Sequence, residues 1–307
     1  MEVTLTAPTH PELRPDAPLA RFTTVRVGGP ADWLAEPGSA RAVIAALVWA
    51  RDQGIPVAVV GKGSNLLIDD AGFRGLVIRL RGRLEGISVR GDRLWCGGGA
   101  SLPRAVLRAA SAGLSGIEFG ASIPGSVGGA VVMNAGAYRG ELKDVLEWAV
   151  LCSADGRRRV GLEDLLFGYR SSAVRPYEVV AAVSFRLHPG DPDLITETLK
   201  GFRRHRRETQ PQGVRTFGSV FTNPEGDSAG RLLEASGCKE LTVGGARFSP
   251  VHANFIEASP GCSSADVLAL MSEGRRRVRE AGGPLLDPEV RYLDPVRGTG
   301  PPPLEEL

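Results

Sequence analysis

Apolar and polar positions alternate along this chain on two different periods, and the period changes divide it into elements. Within residues 40–53, Val43, Ile44 and Leu47 recur at helical spacing, with Ser39 placed to cap the helix and Gly54 and Pro56 to end it. The short run Val57–Val60 and the run GLVIRL at residues 75–80 predict strands on either side of the loop GKGSNLL. Before them, FTTVRVGGPADWLAEP predicts a short strand, a glycine turn and a second strand. Short β-like runs resume from Leu84, interrupted by a helix over residues 102–112, and EWAVLCSADGRRRVGL predicts a hairpin turning at Ala-Asp-Gly. A last strand of this group is expected at residues 179–187, and HPGDPD follows as a linker. Three helices are then expected: one carrying FRRHRRETQP, one over residues 228–236, and one opened by Ser263 and Asp266 as a capping box, with Val267, Leu268, Met271 and Val278 on one face.

This order predicts an α+β chain in consecutive units: an irregular arm over 1–20, a first lobe over 21–82, a mainly antiparallel second lobe over 83–190, a smaller α+β domain over 191–295, and a disordered tail over 296–307. Composition narrows the possible functions. With 37 Lys and Arg against 35 Asp and Glu the net charge is +2, so no overall field demands a nucleic-acid or membrane partner, and any anion site must be local. No stretch reaches the unbroken apolar length of a membrane span, and the first twenty residues lack the apolar core of a secretory signal. A cytoplasmic protein is expected. Cys96, Cys152, Cys238 and Cys262 are widely spaced and form no metal-binding pattern with His205 or His252, so free structural thiols and no metal are expected.

The chemistry is concentrated in a few segments. Residues 122–138, SIPGSVGGAVVMNAGAY, combine Ser122, Ile123 and Pro124 with Gly125, Gly128, Gly129, Asn134 and Gly136. Glycines leave main-chain N–H groups uncovered and can form a concave nest for a diphosphate; tight turns between packed strands would use the same residues. The loop Gly61, Lys62, Gly63, Ser64, Asn65 and Leu66 follows a strand, but Leu66 stands where a Rossmann fingerprint needs its third glycine. Taken together the two loops fit an extended dinucleotide such as FAD. In FGYRSS, Arg170 can hold a carboxylate bidentately or simply stack on Tyr169. Ser219 in FGSVFTNP lies in no GxSxG elbow, which makes an acyl-transfer nucleophile implausible, and Glu289 in LLDPEVRYL opens a strand beside Arg291. The run RRHRR at residues 203–207 covers every face of a helix without interleaved aromatics, which favours a solvated surface over RNA recognition.

The blocks TTVRVGGPAD, GKGSNLLI, GIEFGASIPGSVGGAVVMNAGAY, FGYRSS, GSVFTNP, AGRLLEASG, VHANFI and PEVRYL, in this order between residues 22 and 293, resemble the UDP-N-acetylenolpyruvoylglucosamine reductase family. The resemblance implies a two-lobed FAD-binding region of the vanillyl-alcohol-oxidase type followed by a substrate-binding domain, in the compact subtype that lacks an extra substrate-covering loop. It implies non-covalent FAD, NADPH as co-substrate, UDP-N-acetylglucosamine enolpyruvate as substrate, and a monomer. It also implies that Arg170 is the catalytic arginine, Ser219 the proton donor and Glu289 the catalytic glutamate, with Tyr169, Asn223 and Asn254 toward the substrate. Where the family commonly has lysine this chain has Thr222, and Arg215 and Lys239 are the candidates to replace it. The competing reading is a flavin oxidase or dehydrogenase of the same fold. Such enzymes often tether FAD through histidine or cysteine; no histidine lies between His10 and His188, which leaves Cys96 and Cys152 as the tethers open to that reading.

Overall fold

The computed structural model describes residues 12–304, and the chain divides into two units. The first comprises residues 12–15, 33–61 and 75–203; the second comprises 16–32, 62–74 and 204–304.

The helix expected after Ser39 is α1, Ala40–Asp52, and the Ser39 hydroxyl accepts the Ala42 N–H as its cap. Its apolar stripe, Val43, Ala46, Leu47 and Ala50, is buried with Leu76, Ile78, Cys152 and Val179 in one core of the first unit. Val57–Val59 runs parallel to Phe73–Ile78, in register Val57 to Leu76. That strand starts two residues before the expected run, because Phe73 is fully buried and belongs to the sheet. The second core lies on a five-stranded antiparallel sheet ordered Gly156–Val160, Leu146–Ser153, Val179–Arg186, Arg93–Gly97, Ile87–Arg90. Its hairpin turns through Ala154 and Asp155 as the sequence predicts, with Ser153 opposite Gly156. Helix α2, Leu102–Ala110, buries Leu102, Ala105, Val106 and Ala109 on this side.

Within the glycine-rich segment lies a further short helix, α3, Val127–Val132, capped by Ser126. A one-turn helix, α4, Leu162–Leu165, leads into the FGYRSS turn. The expected linker is partly ordered structure: His188–Pro189 pairs with Leu114–Ser115, and Pro192 already begins helix α5, Pro192–Thr209. Proline at a helix start is favourable because its missing N–H would have no partner there.

In the second unit, helix α6, Ala229–Ala235, and helix α7, Ser264–Glu280, occur where the sequence predicts them. They enclose a core with Phe217, Val220, Phe221 and Phe248. A three-stranded sheet, Gly298–Gly300, Arg291–Asp294 and Leu66–Ile68, joins the end of the chain to the strand after the GKGSN loop. The start of the expected tail is therefore a strand; residues 305–307 lie outside the described set, as do 1–11 of the expected arm. The rest of that arm carries a strand, Leu13–Pro18. The strand expected before the Gly28-Gly29 turn does not form. Thr23 is buried and its hydroxyl accepts the Arg26 N–H, which curls the segment into a turn, and only Pro30–Ala35 is extended.

Candidate functional site

In the first unit, Gly61 at the end of its strand meets the glycine-rich segment directly: a Cβ at Gly61 would lie 2.2 Å from Ser126 Oγ. Ser126 is buried and accepts the Gly129 N–H at 3.3 Å. The N–H groups at the start of α3 are not uncovered, as the glycine run suggests. Gly128 donates to Gly98 O and Val127 to Ala100 O, both at 2.8 Å. Glycine at 128 instead permits close packing, since a Cβ there would meet Gly98 O at 3.0 Å and Val180 O at 3.2 Å. The same segment carries a buried hydroxyl that a ligand oxygen could pair with. Ser122 Oγ is buried and has no hydrogen-bond partner among the described residues. A buried hydroxyl left unpaired is costly, and a phosphate oxygen would satisfy it. Ser122, with the backbone of Ile123, Pro124 and Gly125 and the narrow approach at Gly61, fits FAD.

Asn134 and Gly136 act further along. Asn134 is fully buried, and its amide is committed to protein: Nδ2 donates to Glu141 Oε2 at 2.8 Å and to Gly168 O at 3.0 Å, while Oδ1 accepts the Lys143 N–H at 3.1 Å. Gly136 O accepts from Arg170 Nη2 at 3.0 Å. Arg170 also lies over the Tyr169 ring, its Cζ 4.9 Å from the centroid, so stacking and a second anchor coexist. Tyr169 itself is half exposed. The residue missed at the level of sequence is Glu141, whose carboxylate pairs with Lys143 Nζ at 2.9 Å. Its legible signal was Asp144 three residues on, since the two form a capping box for the turn that follows.

In the second unit, backbone bonds bring the segments that carry Ser219 and Glu289 alongside each other. Glu289 N donates to Val220 O at 2.8 Å, Val220 N donates to Asn254 O at 2.9 Å, and Phe221 bridges Pro288. The GKGSN loop braces both: Gly218 N donates to Ser64 O at 3.0 Å, and Asn65 Nδ2 donates to Glu289 O at 3.0 Å. Gly63 is left-handed, at φ +64°, and its missing Cβ makes room for Phe22 O. Leu66 is buried in its strand. Phe217, Val220 and Phe221 are buried while Ser219 is only partly so.

The expected substrate-side amides carry structural bonds. Asn223 Oδ1 accepts the Ala229 N–H at the start of α6, and Asn254 pairs both the N–H and the carbonyl of Phe221, at 2.9 and 2.8 Å. Thr222 turns its hydroxyl to Asp287 O at 3.3 Å, Lys239 pairs with Glu234 at 2.7 Å, and Arg215 is exposed. All four cysteines are free. Burial pushes the Cys96 thiol up to about 12 and Cys152 up to about 11, so neither offers a thiolate for a covalent flavin bond at neutral pH. Among the described residues no group of acids, histidines or cysteines is arranged to hold a metal, and no helix is long and apolar enough to cross a membrane.

Two family models match the chain. Residues 31–160 match an FAD binding domain, and residues 210–293 match the UDP-N-acetylenolpyruvoylglucosamine reductase C-terminal domain. The UDP-N-acetylenolpyruvoylglucosamine reductase of Anaeromyxobacter dehalogenans (strain 2CP-C) is 48% identical over 91% of this chain and 84% of its own. That of Rubrobacter xylanophilus is 45% identical over 92% of this chain and 96% of its own. The crystal structure of the Thermus caldophilus enzyme, 37% identical, superposes with a TM-score of 0.79 over 92% of this chain and 98% of that one. 6-Hydroxy-D-nicotine oxidase from Arthrobacter nicotinovorans, 13% identical with a TM-score of 0.53 over 92% of this chain and 88% of that one, shares the fold alone. With an FAD-binding region ahead of this C-terminal domain, the chain is an FAD-dependent oxidoreductase that belongs to the UDP-N-acetylenolpyruvoylglucosamine reductase family.

Proposed function

We propose that this protein reduces UDP-N-acetylglucosamine enolpyruvate to UDP-N-acetylmuramate, a step in the supply of peptidoglycan precursors, with NADPH as the reductant. The chemistry FAD supplies when bound is hydride carriage, in from NADPH and out from flavin N5 to the vinyl carbon of the enolpyruvyl ether. Ser122 and the neighbouring backbone, with Gly61, would hold its diphosphate. The residues of the chain manage charge and protons on the substrate. Hydride arriving at the vinyl carbon pushes negative charge toward the carboxylate, and Arg170, with paired donors in a fixed plane, neutralises it. Glu289, protonated or bridging through a water, helps hold the acid portion of the intermediate. Ser219 delivers the proton to the adjacent carbon, completing the addition of H⁻ and H⁺ across the double bond. A serine hydroxyl is a weak acid in water, but against a strongly basic carbon its task is one of placement.

The observation that supports this reading most directly is the pairing of an FAD binding domain match over residues 31–160 with a UDP-N-acetylenolpyruvoylglucosamine reductase C-terminal domain match over residues 210–293, and the backbone bond from Glu289 N to Val220 O keeps the segments that carry Ser219 and Glu289 adjacent. The half-reactions test it. In Ser219→Ala, NADPH is expected to bleach the flavin at the wild-type rate under anaerobic conditions, while reoxidation by the enolpyruvyl sugar falls by two or more orders of magnitude, on the order of what a positioned acid contributes. Loss of both half-reactions would remove Ser219 from the role. Wild-type flavin that is reduced by NADPH and not reoxidised by the sugar would remove the substrate.

A further inference from the structure

Strained backbone is concentrated in one place in the first unit. Of the eight non-glycine residues at positive φ among the described residues, five fall in two short stretches: Asn134 at 39°, Tyr138 at 52° and Arg139 at 67°, then Leu166 at 40° and Arg170 at 54°. Left-handed conformations of this kind are disfavoured for residues with a Cβ and persist where surrounding contacts over-determine them, which is commonest at functional sites. Here the determining contacts are visible. Asn134, fully buried, ties Gly168 O to Glu141 Oε2 through the two hydrogens of one amide. Glu141 lies directly opposite Gly136 in the hairpin Gly136–Ala137 and Gly140–Glu141, and Gly136 O holds the Arg170 guanidinium. The turn that carries Arg170 is thus gripped at both ends, at its Gly168 carbonyl and at the guanidinium itself.

Charge runs through the same contacts. The Lys143 hydrogen bond, with those of Asn134 and the nearby charge of Arg170, holds the Glu141 carboxyl below its ordinary range against the opposing effect of burial. Glu141 is an anion at neutral pH and stands directly opposite Gly136, whose carbonyl holds the Arg170 guanidinium.

We infer that Asn134 and Glu141 are positioning residues for Arg170: the amide fixes the turn, and the carboxylate, with Gly136 O, fixes the direction of the guanidinium. The inference rests on Arg170 as the group that meets the substrate carboxylate. It assigns a specific task to an asparagine that by sequence belongs to the cofactor loop, and to a glutamate two residues from a lysine that would otherwise account for it as a surface pair.

Glu141→Gln keeps shape and removes the charge, so it tests the inference without emptying a buried site. Its flavin content and its rate of reduction by NADPH are expected to match wild type. Turnover with the enolpyruvyl sugar should fall by roughly tenfold, since misplacement of a clamp costs rate far more than it costs folding. In an Arg170→Lys background the same change should cost less than twofold, because the group it positions is gone. A full tenfold loss in that background would overturn the inference by showing that Glu141 acts elsewhere, as would a Glu141→Gln enzyme at the wild-type rate while Arg170→Lys is impaired. Arg170→Lys turning over at the wild-type rate would instead remove the assigned role of Arg170, and the inference with it.

Discussion

Asn254 does with one side chain what a strand does with its backbone. Phe221 is fully buried, and both its N–H and its carbonyl are paired with the Asn254 amide, while Val220 N donates to Asn254 O. Truncation to alanine leaves a donor and an acceptor buried and unpaired, at about 1–3 kcal/mol each. Urea unfolding of Asn254→Ala is therefore expected to show a loss of about 2–6 kcal/mol, and Asn254→Asp should not restore it, because a carboxylate cannot donate to Phe221 O. The same residue shows what the sequence withholds. Asn134, Asn223 and Asn254 all stand in motifs that point toward ligands, yet each is bonded to main chain of its own unit. An amide offers two donors and an acceptor, and nothing local says which partners will take them. For Asn254 and Asn134 the decisive partners lie 33 and 34 residues away. By contrast the stacking of Arg170 on Tyr169 was legible, since the partner is the adjacent residue.

At the scale of elements the same division holds between local and distant causes. Helix α7 was legible from Ser263 and Asp266, and both bonds of the capping box are present. Its first turn is also held by Asp70, whose carboxylate accepts from Ser264 N and Ser264 Oγ across 194 residues. No sequence pattern announces that contact. Both groups place acceptors where the helix leaves N–H groups without partners, and an anion there is also favoured by the helix dipole. Ser263→Ala and Asp70→Ala are each expected to lower stability by about 1 kcal/mol, the usual worth of a cap. Because they secure the same turn, the double variant should lose less than the sum, and additive losses in thermal unfolding would mean that the two act independently. Elements misread from sequence share a cause as well. The segment after Phe22 has strand-like residues, but the buried Thr23 hydroxyl bonds within its own turn and prevents extension. The GTG of the expected tail has turn-like composition, yet it pairs with Tyr292–Asp294 and is ordered by that partner.

For the molecule as a whole the near balance of 37 basic and 35 acidic residues hides how unevenly the acids are held. In the first unit, hydrogen bonds from Arg93 foremost, then Arg186 and Ser184, bring the Glu147 carboxyl down to about 2 against the effect of burial. In the second, Arg276 foremost and Arg277 bring Glu273 down to about 2. A carboxylate whose pKa is depressed on folding contributes stability that is fully present above its unfolded value, about 4.3 for glutamate, and is lost as pH falls toward the folded one. The side chains are 19% and 25% exposed, so solvent screening limits each contribution to about 1 kcal/mol. The urea midpoint should accordingly stay level from neutral pH to about 5 and then fall between about 4 and 2, where protonation of the acids also leaves the basic residues to repel one another. Glu147→Gln and Glu273→Gln should each lower the neutral plateau and make the acid limb shallower, and added salt should shrink both differences. A plateau unchanged in both variants would show that these networks contribute nothing net to folding, and that general self-repulsion alone governs the acid limb.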